Sequence, residues 1–253
     1  MNQTKKVTLI TGANKGIGFE IAKQVGEHGH HVLVGSRDEK RGAEAVKQLL
    51  DLGIEADFIQ IDVTNKESIN KAAELIEEKY GYLTALINNA GISLDKFIVP
   101  SKLDTEIIRQ DFDVNFFGLV DTTQAMLPLL KKSTKAKIIN MSSMMGSLNM
   151  AATPESEVYH ASVVGYQASK AAVNMFTIKL AKELEDLKET TITVNAVDPG
   201  MVATEFGGVD PEFSRSHGGK PVEEGAKLAV ELAVNDDDTS NATFSNAEGV
   251  VAW

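Results

Sequence analysis

The chain contains no cysteine, which excludes a disulfide framework, a thiolate metal site and a cysteine nucleophile. Long apolar runs are also missing. The first, Val7 to Ile10, passes at once into Thr11-Gly12, too short for a signal-peptide core, and no later run approaches a membrane span. A cytoplasmic location with no membrane partner is therefore expected. Positive charge is scarce as well. The 25 Lys and Arg against 36 Asp and Glu leave a net charge of -11, which argues against a nucleic-acid partner. A single phosphorylated ligand held by a few local cations is still compatible with that balance. The five histidines lack ligand spacing, and His30-His31 leads into a strand, where neighbours face opposite ways. No metal site is expected.

What is present is an alternation. Short runs rich in Val and Ile (Val7–Thr11, His31–Ser36, Asp57–Asp62, Leu83–Asn88, Lys137–Met141 and Thr191–Val197) are apolar on both faces, as buried parallel strands must be. Between them lie amphipathic stretches at Gly16–Glu27, Glu39–Asp51, Lys66–Tyr80, Thr105–Leu130 and Tyr166–Leu187. Strands alternating with helices predict right-handed crossovers and a doubly wound parallel sheet, a three-layer α/β/α arrangement of Rossmann type. The 253 residues fit one such domain. Ser147–Gly165 lacks periodicity and carries Pro154, so it reads as a loop. Met201–Lys220, with paired glycines and with Phe206 and Phe213, reads as a lid over a pocket or as a plain surface loop. Pro221, followed by Glu223 and Glu224, marks a helix start, and Asp236–Asp238 reads as solvated surface.

The first strand enters Thr11-Gly12-Ala13-Asn14-Lys15-Gly16-Ile17-Gly18 and then a helix. Strand, glycine-rich turn and helix N-terminus together make an anion site. Glycines let backbone N–H groups approach a pyrophosphate, and the helix end adds partial positive charge. A dinucleotide is the expected ligand. The second strand ends in Ser36-Arg37, where an NAD site would usually carry an acid for the ribose 2′-hydroxyl. Arg37 offers a bidentate partner for a 2′-phosphate, and Lys15 could reach the same group. NADP(H) is expected over NAD(H), although Asp38, one residue on, is either a helix cap or a competing acid. Asp62-Val63, at the end of the third strand, suits contacts to an adenine or a simple turn. Asn88-Asn89-Ala90-Gly91, at the end of the fourth, suits close approach of a ligand, a structural turn, or both.

Among the four tyrosines, only Tyr166 has a lysine four residues on, in Tyr166-Gln167-Ala168-Ser169-Lys170. On a helix this puts phenol and ammonium on one face, and a nearby cation favours the phenolate. That chemistry suits the proton that must accompany hydride transfer to a carbonyl. Ser142-Ser143 follows the fifth strand, where a hydroxyl can steady a developing oxyanion, or where two serines simply form a turn. Asn115 stands inside a helical pattern, facing solvent or buried with a water.

Taken together, these residues resemble the short-chain dehydrogenase/reductase family over nearly the whole chain, from Thr4 to Trp253. The resemblance rests on Thr11–Gly18 (TGxxxGxG), Asn88–Gly91 (NNAG), Asn115, Ser143, and Tyr166 with Lys170 (YxxxK). It implies a catalytic tetrad. Tyr166 is the acid/base, and Lys170 lowers its pKa and holds the nicotinamide ribose. Ser143 orients the carbonyl, and Asn115 supports a proton-relay water. It implies cofactor contacts from Gly12, Asn14, Lys15, Gly16, Ile17, Gly18, Arg37, Asp62, Val63, Asn89, Ala90, Gly91, Tyr166 and Lys170. Pro199, Gly200, Val202 and Thr204 would face the nicotinamide carboxamide. The Ser36-Arg37-Asp38 run and the glycine loop are similar to the carbonyl-reductase-like branch, which prefers NADPH. The implied reaction interconverts an alcohol with an aldehyde, ketone or quinone. The stretch from Ser143 to Tyr166 is longer than in the commonest members, which puts the usual tetramer in doubt and implies a monomer or homodimer. A sugar-nucleotide epimerase would have another glycine spacing and a longer C-terminal part. A non-catalytic dinucleotide sensor would typically have lost Tyr166 or Lys170.

Overall fold

A computed structural model describes residues 5–187 and 191–253. Thr4, where the resemblance begins, lies outside them. The strands are β1 (Val7–Thr11), β2 (His31–Ser36), β3 (Ala56–Gln60), β4 (Ala85–Asn88), β5 (Ala136–Met141), β6 (Ile192–Val197), β7 (Phe244–Asn246) and β8 (Gly249–Val250). They form one sheet in the order β3-β2-β1-β4-β5-β6-β7-β8, parallel throughout except for the last pair. The helices are α1 (Gly16–Glu27), α2 (Glu39–Asp51), α3 (Lys66–Tyr80), α4 (Thr105–Phe112), α5 (Gly118–Leu130), α6 (Leu148–Ala152), α7 (Val164–Leu187), α8 (Pro211–Ser216) and α9 (Val222–Val234). The strand order reverses direction between β1 and β4. In an open parallel sheet this is where a crevice forms at the strand carboxyl ends.

Each face of the sheet has its own core. Ile10, Val34, Ile87 and Val197 pack under Ile21 and Val25 of α1, Leu49 of α2 and Val230 of α9. Leu9, Leu33, Leu86 and Val194 pack under Ile69 of α3, Leu129 of α5 and Leu184 of α7. Neighbours such as Leu9 and Ile10 thus serve opposite layers, which is why the strands read as continuously apolar. Burial of each such side chain contributes roughly 1.5–3 kcal/mol.

Several expected boundaries move. The third strand ends at Gln60, so Asp62 lies in the turn beyond it. The single helix expected over Thr105–Leu130 is α4 and α5 joined by a π-helical turn at Asp113–Phe117, closed by the Gly118 N–H on the Asp113 carbonyl. Gly118 is required here because a Cβ would stand 2.7 Å from the Val63 carbonyl oxygen. Ser147–Gly165 is not all loop. Ser147 Oγ accepts from the Met150 N–H at 3.1 Å and caps α6, and α7 starts at Val164. The segment 201–220 carries α8, capped by Asp210. Asp236–Asp238 does more than meet solvent: Asp236 pairs with Lys6 at 2.7 Å, and the Asp238 carbonyl accepts from Lys137.

Candidate active site

The crevice is floored by the glycine loop. Gly12 and Gly16 have φ of 64° and 59°, a region only glycine enters cheaply. A Cβ at Gly18 would lie 2.4 Å from Asn89 Nδ2 and 2.5 Å from the Gly12 oxygen. Asn89 locks this floor to β4. Its Nδ2 donates to the Thr11 and Gly12 carbonyls at 2.9 and 3.2 Å, and the N–H groups of Asn89 and Ala90 both donate to Thr11 Oγ1 at 3.0 Å. The result is a cradle of main chain at the N-terminus of α1, shaped for a pyrophosphate. Ile17, on the first turn of α1, packs against the core beneath it.

At the end of β2, Arg37 is exposed and takes part in no ion pair among the described residues. Asp38 is the helix cap. Its Oδ1 accepts from the Arg41 N–H at 2.9 Å and its Oδ2 lies 3.6 Å from the Arg41 guanidinium. Asn14, Asp38, Lys40, Arg41 and Glu44 line one cleft. Lys40 and Arg41 add to the residues expected from the sequence, and the basic pair in the first turn after the Asp38 cap is the signal that marks them. The Lys15 ammonium pairs with Glu205 at 2.7 Å. Asp62 Oδ1 accepts from the N–H and hydroxyl of Thr64 at 3.0 and 2.8 Å, the turn arrangement, while Val63 packs on the position of Gly118.

On the other side the predicted chemical residues converge. A Cβ at Gly91 would lie 3.3 Å from Asn115 Oδ1 and 3.7 Å from Lys170 Nζ. Asn115 is fully buried on the π-helical turn. Its Oδ1 accepts from the Ile92 N–H at 2.8 Å, and its Nδ2 donates to the Ile92 carbonyl at 2.8 Å and to Ser169 Oγ at 3.0 Å. The solvent-facing alternative is thereby removed. Gly146 lets α7 close in, since a Cβ there would stand 2.7 Å from Lys170. The two serines separate in role: Ser142 Oγ donates to buried Asn174 Oδ1 at 2.5 Å, whereas Ser143 Oγ accepts from the Met145 N–H at 3.2 Å and acts on Tyr166 by favouring its phenolate.

Tyr166 and Lys170 do share one face of α7, but the ammonium does not meet the hydroxyl. Lys170 Nζ donates to the Met141 carbonyl at the end of β5, at 2.7 Å, and stands 5.6 Å from the ring centroid. The expected lowering of the phenol pKa by Lys170 is therefore corrected. Burial pushes Tyr166 well up, Ser143 opposes this, and the charges of Asp198 and Asp111 push further up. Burial also brings Lys170 down to about 8. Asp198, not foreseen, is buried behind Pro199, raised by burial against the Gly200 and Met144 N–H groups, with Oδ2 unpartnered.

The segment 201–220 lies over this group. Phe206 meets the Tyr166 ring edge-on at 5.6 Å, and Thr204 would touch a Cβ at Gly16 at 3.7 Å. Its two ends are joined at a Val202–Lys220 bridge, with the Ala203 N–H on the Lys220 carbonyl at 2.9 Å and the Lys220 N–H on the Met201 carbonyl at 2.8 Å. Gly200 turns with φ of 74° and takes Asp198 Oδ1 on its N–H at 3.0 Å.

This geometry can be set beside known proteins. Residues 6–212 match the short chain dehydrogenase family. The chain belongs to that family. This family member is 38% identical over 237 residues to the short-chain dehydrogenase anuI of Penicillium roqueforti, covering 91% of this chain and 89% of that one. It is 31% identical to the NADPH carbonyl reductase 1 of Rattus norvegicus, covering 92% of each. Its fold matches the crystal structure of NADPH-bound carbonyl reductase from chicken fatty liver with a TM-score of 0.84, at 28% identity over 99% of this chain and 100% of that one. The expected α/β/α fold and the likeness to the carbonyl-reductase branch are both borne out. No helix among the described residues is long and apolar enough to cross a membrane.

Proposed function

We propose that this chain is an NADP(H)-dependent oxidoreductase that reduces the carbonyl of an aldehyde, ketone or quinone to an alcohol, with Tyr166 giving the proton. The observation that carries this reading is the convergence of Gly91, Asn115 and Lys170 beside Tyr166 and Ser143, at the strand ends next to the glycine loop. The cradle of Gly12, Gly16 and Gly18 fits a pyrophosphate, and Asn14, Arg37, Lys40 and Arg41 fit a 2′-phosphate. Asp38, the acid that directly follows Arg37 and would compete for a bare ribose, is engaged as a cap. When bound, NADP(H) supplies or accepts the hydride.

The chain's own residues do the rest. Ser143 donates to the substrate oxygen and to Tyr166 in turn. Burial keeps Tyr166 a phenol, which is the form that protonates an alkoxide. Lys170, with one hydrogen bond held by Met141, has donors left for the nicotinamide ribose. Pro199, Gly200, Val202 and Thr204 border the nicotinamide end, and the exposed Phe206 and Met201 give the mouth an apolar rim. A small hydrophobic carbonyl compound is the substrate class this favours, handled by a cytoplasmic monomer or homodimer.

The test is absorbance at the reduced-nicotinamide band with NADPH and NADH against a panel of aldehydes, ketones and quinones. Oxidation of NADPH is expected to exceed that of NADH, and Arg37→Ala should narrow the gap. No turnover with any carbonyl, or turnover intact in Tyr166→Phe, would reject the reading.

A further inference from the structure

Two carboxylates unused by that chemistry lie under the first turn of α7. Asp95, in the loop after β4, and Asp111, near the end of α4, are both fully buried. Asp95 Oδ1 accepts from the Gly165 N–H at 2.8 Å and Oδ2 from the Tyr166 N–H at 2.9 Å. These are N-terminal amides of the kind a helix cannot satisfy internally, and one belongs to the reactive tyrosine itself. A carboxylate there is ordinary, but a second one packed against it is not. Asp111 Oδ1 accepts from the Leu94 N–H at 3.1 Å, while Oδ2 has no donor. The acids face one point: a Cβ at Gly165 would lie 2.9 Å from Asp111 Oδ2 and 3.2 Å from Asp95 Oδ1. Among the described residues, the charged group that acts on Asp111 is Asp95. Two bare carboxylates in such a place repel strongly, and a single proton between them removes the repulsion and gives the idle oxygen a partner.

We propose that Asp95 and Asp111 form a carboxyl–carboxylate pair sharing one proton, which positions Tyr166 by clamping the first turn of α7 and tunes the proton affinity of its hydroxyl. This rests on Tyr166 being the acid/base. Burial, followed by the hydrogen bond and charge of Asp95, raises Asp111 against the Leu94 N–H. The groups acting on the tyrosine are Ser143 from the turn after β5, Asp198 from the segment after β6, and Asp111 from α4. As the shared proton leaves, a second negative charge appears beneath the phenol, and the phenolate becomes harder to form. The pair thus keeps Tyr166 a proton donor further into the alkaline range.

Asp111→Asn holds the same shape with a permanent donor and no ionisation. It should turn over, with the alkaline limb of kcat in the reductive direction displaced to lower pH by about one unit and the dinucleotide KM unchanged. Asp95→Asn sets an NH2 group against one of the two amides, and kcat should fall at least about tenfold, again without change in the dinucleotide KM. Infrared spectra of the wild type in D2O should show a protonated-carboxyl band that titrates away near neutral pH and is missing from Asp111→Asn. A wild type without that band, or Asp111→Asn with the wild-type pH profile, overturns the proposal. If Asp111→Asn does not fold, the wild-type band alone decides. The band is expected to persist in Tyr166→Phe, so activity in that variant would sink the acid/base reading while the spectrum still judges the pair.

Discussion

The two walls of the crevice are built in different ways. The glycine-loop wall is held by main chain and by one half-buried amide: Asn89 bonded to the Thr11 and Gly12 carbonyls, and Gly18 with no room for a methyl group. The lid wall is held by exposed side chains. Lys15 and Glu205 keep 59% and 69% of their side-chain surface in solvent, and Phe206 only leans on Tyr166. The first wall can bind one shape, whereas the second can be displaced at small cost.

The comparison can be tested from its rigid side outward. Substitutions at the fixed chemical group should have the largest effect, with Lys170→Met lowering turnover by about 10²–10⁴-fold. The same variant should gain stability. The distance from 10.5 to about 8 corresponds to ~3 kcal/mol of burial penalty on the ammonium, of which the lost bond to Met141 returns about 1–2 kcal/mol. Because the folded value lies below the unfolded one, the unfolded chain binds more protons between pH 8 and 10.5. Wild-type stability therefore rises through that window, and the advantage of Lys170→Met, read by urea denaturation, should be full below it and shrink across it. Next comes the floor. Gly18→Ala forces a methyl group against the Gly12 oxygen and Asn89, costing roughly 1–3 kcal/mol of stability and weakening dinucleotide binding more than about tenfold, measurable by fluorescence titration. A lid substitution should do less. Phe206→Ala is expected to raise the carbonyl KM by about two- to tenfold, the span of an aromatic contact of about 0.5–1.5 kcal/mol, and to leave the dinucleotide KM alone. Smallest of all, Glu205→Gln frees Lys15 and should tighten NADPH binding a few-fold at low salt, with the gain vanishing at high salt. Equal sensitivity of both walls would remove the distinction.

The same divide separates what could be read in the sequence from what could not. The bounds of α1, α2 and α3 are legible to the residue, because 3.6-residue periodicity agrees with the caps Asp38 and Asn65 for α2 and α3 and with the glycine turn for α1. The dinucleotide floor is legible because glycine spacing is itself a backbone constraint. The π-helical turn at Asn115 was not, since apolar spacing runs through it without a break. The strands β7 and β8 are too short and polar for a periodic signal, although Phe244 is fully buried and stacks on Trp253. Helix α8 has a readable start in Asp210-Pro211-Glu212, the same proline-then-acid pattern that marks the helix start at Pro221. The direction of Lys170 and the meeting of Asp95 with Asp111 depend on tertiary packing, and spacing carries no trace of either.

The bridge between Val202 and Lys220 makes the intervening stretch a closed excursion that leaves and rejoins the body at one point. Its length and composition are thereby uncoupled from the register of β6 and the seat of α9. A segment of another length spliced between these anchors would meet the same two hydrogen bonds, so selectivity could be rewritten there as a cassette without disturbing the scaffold beneath.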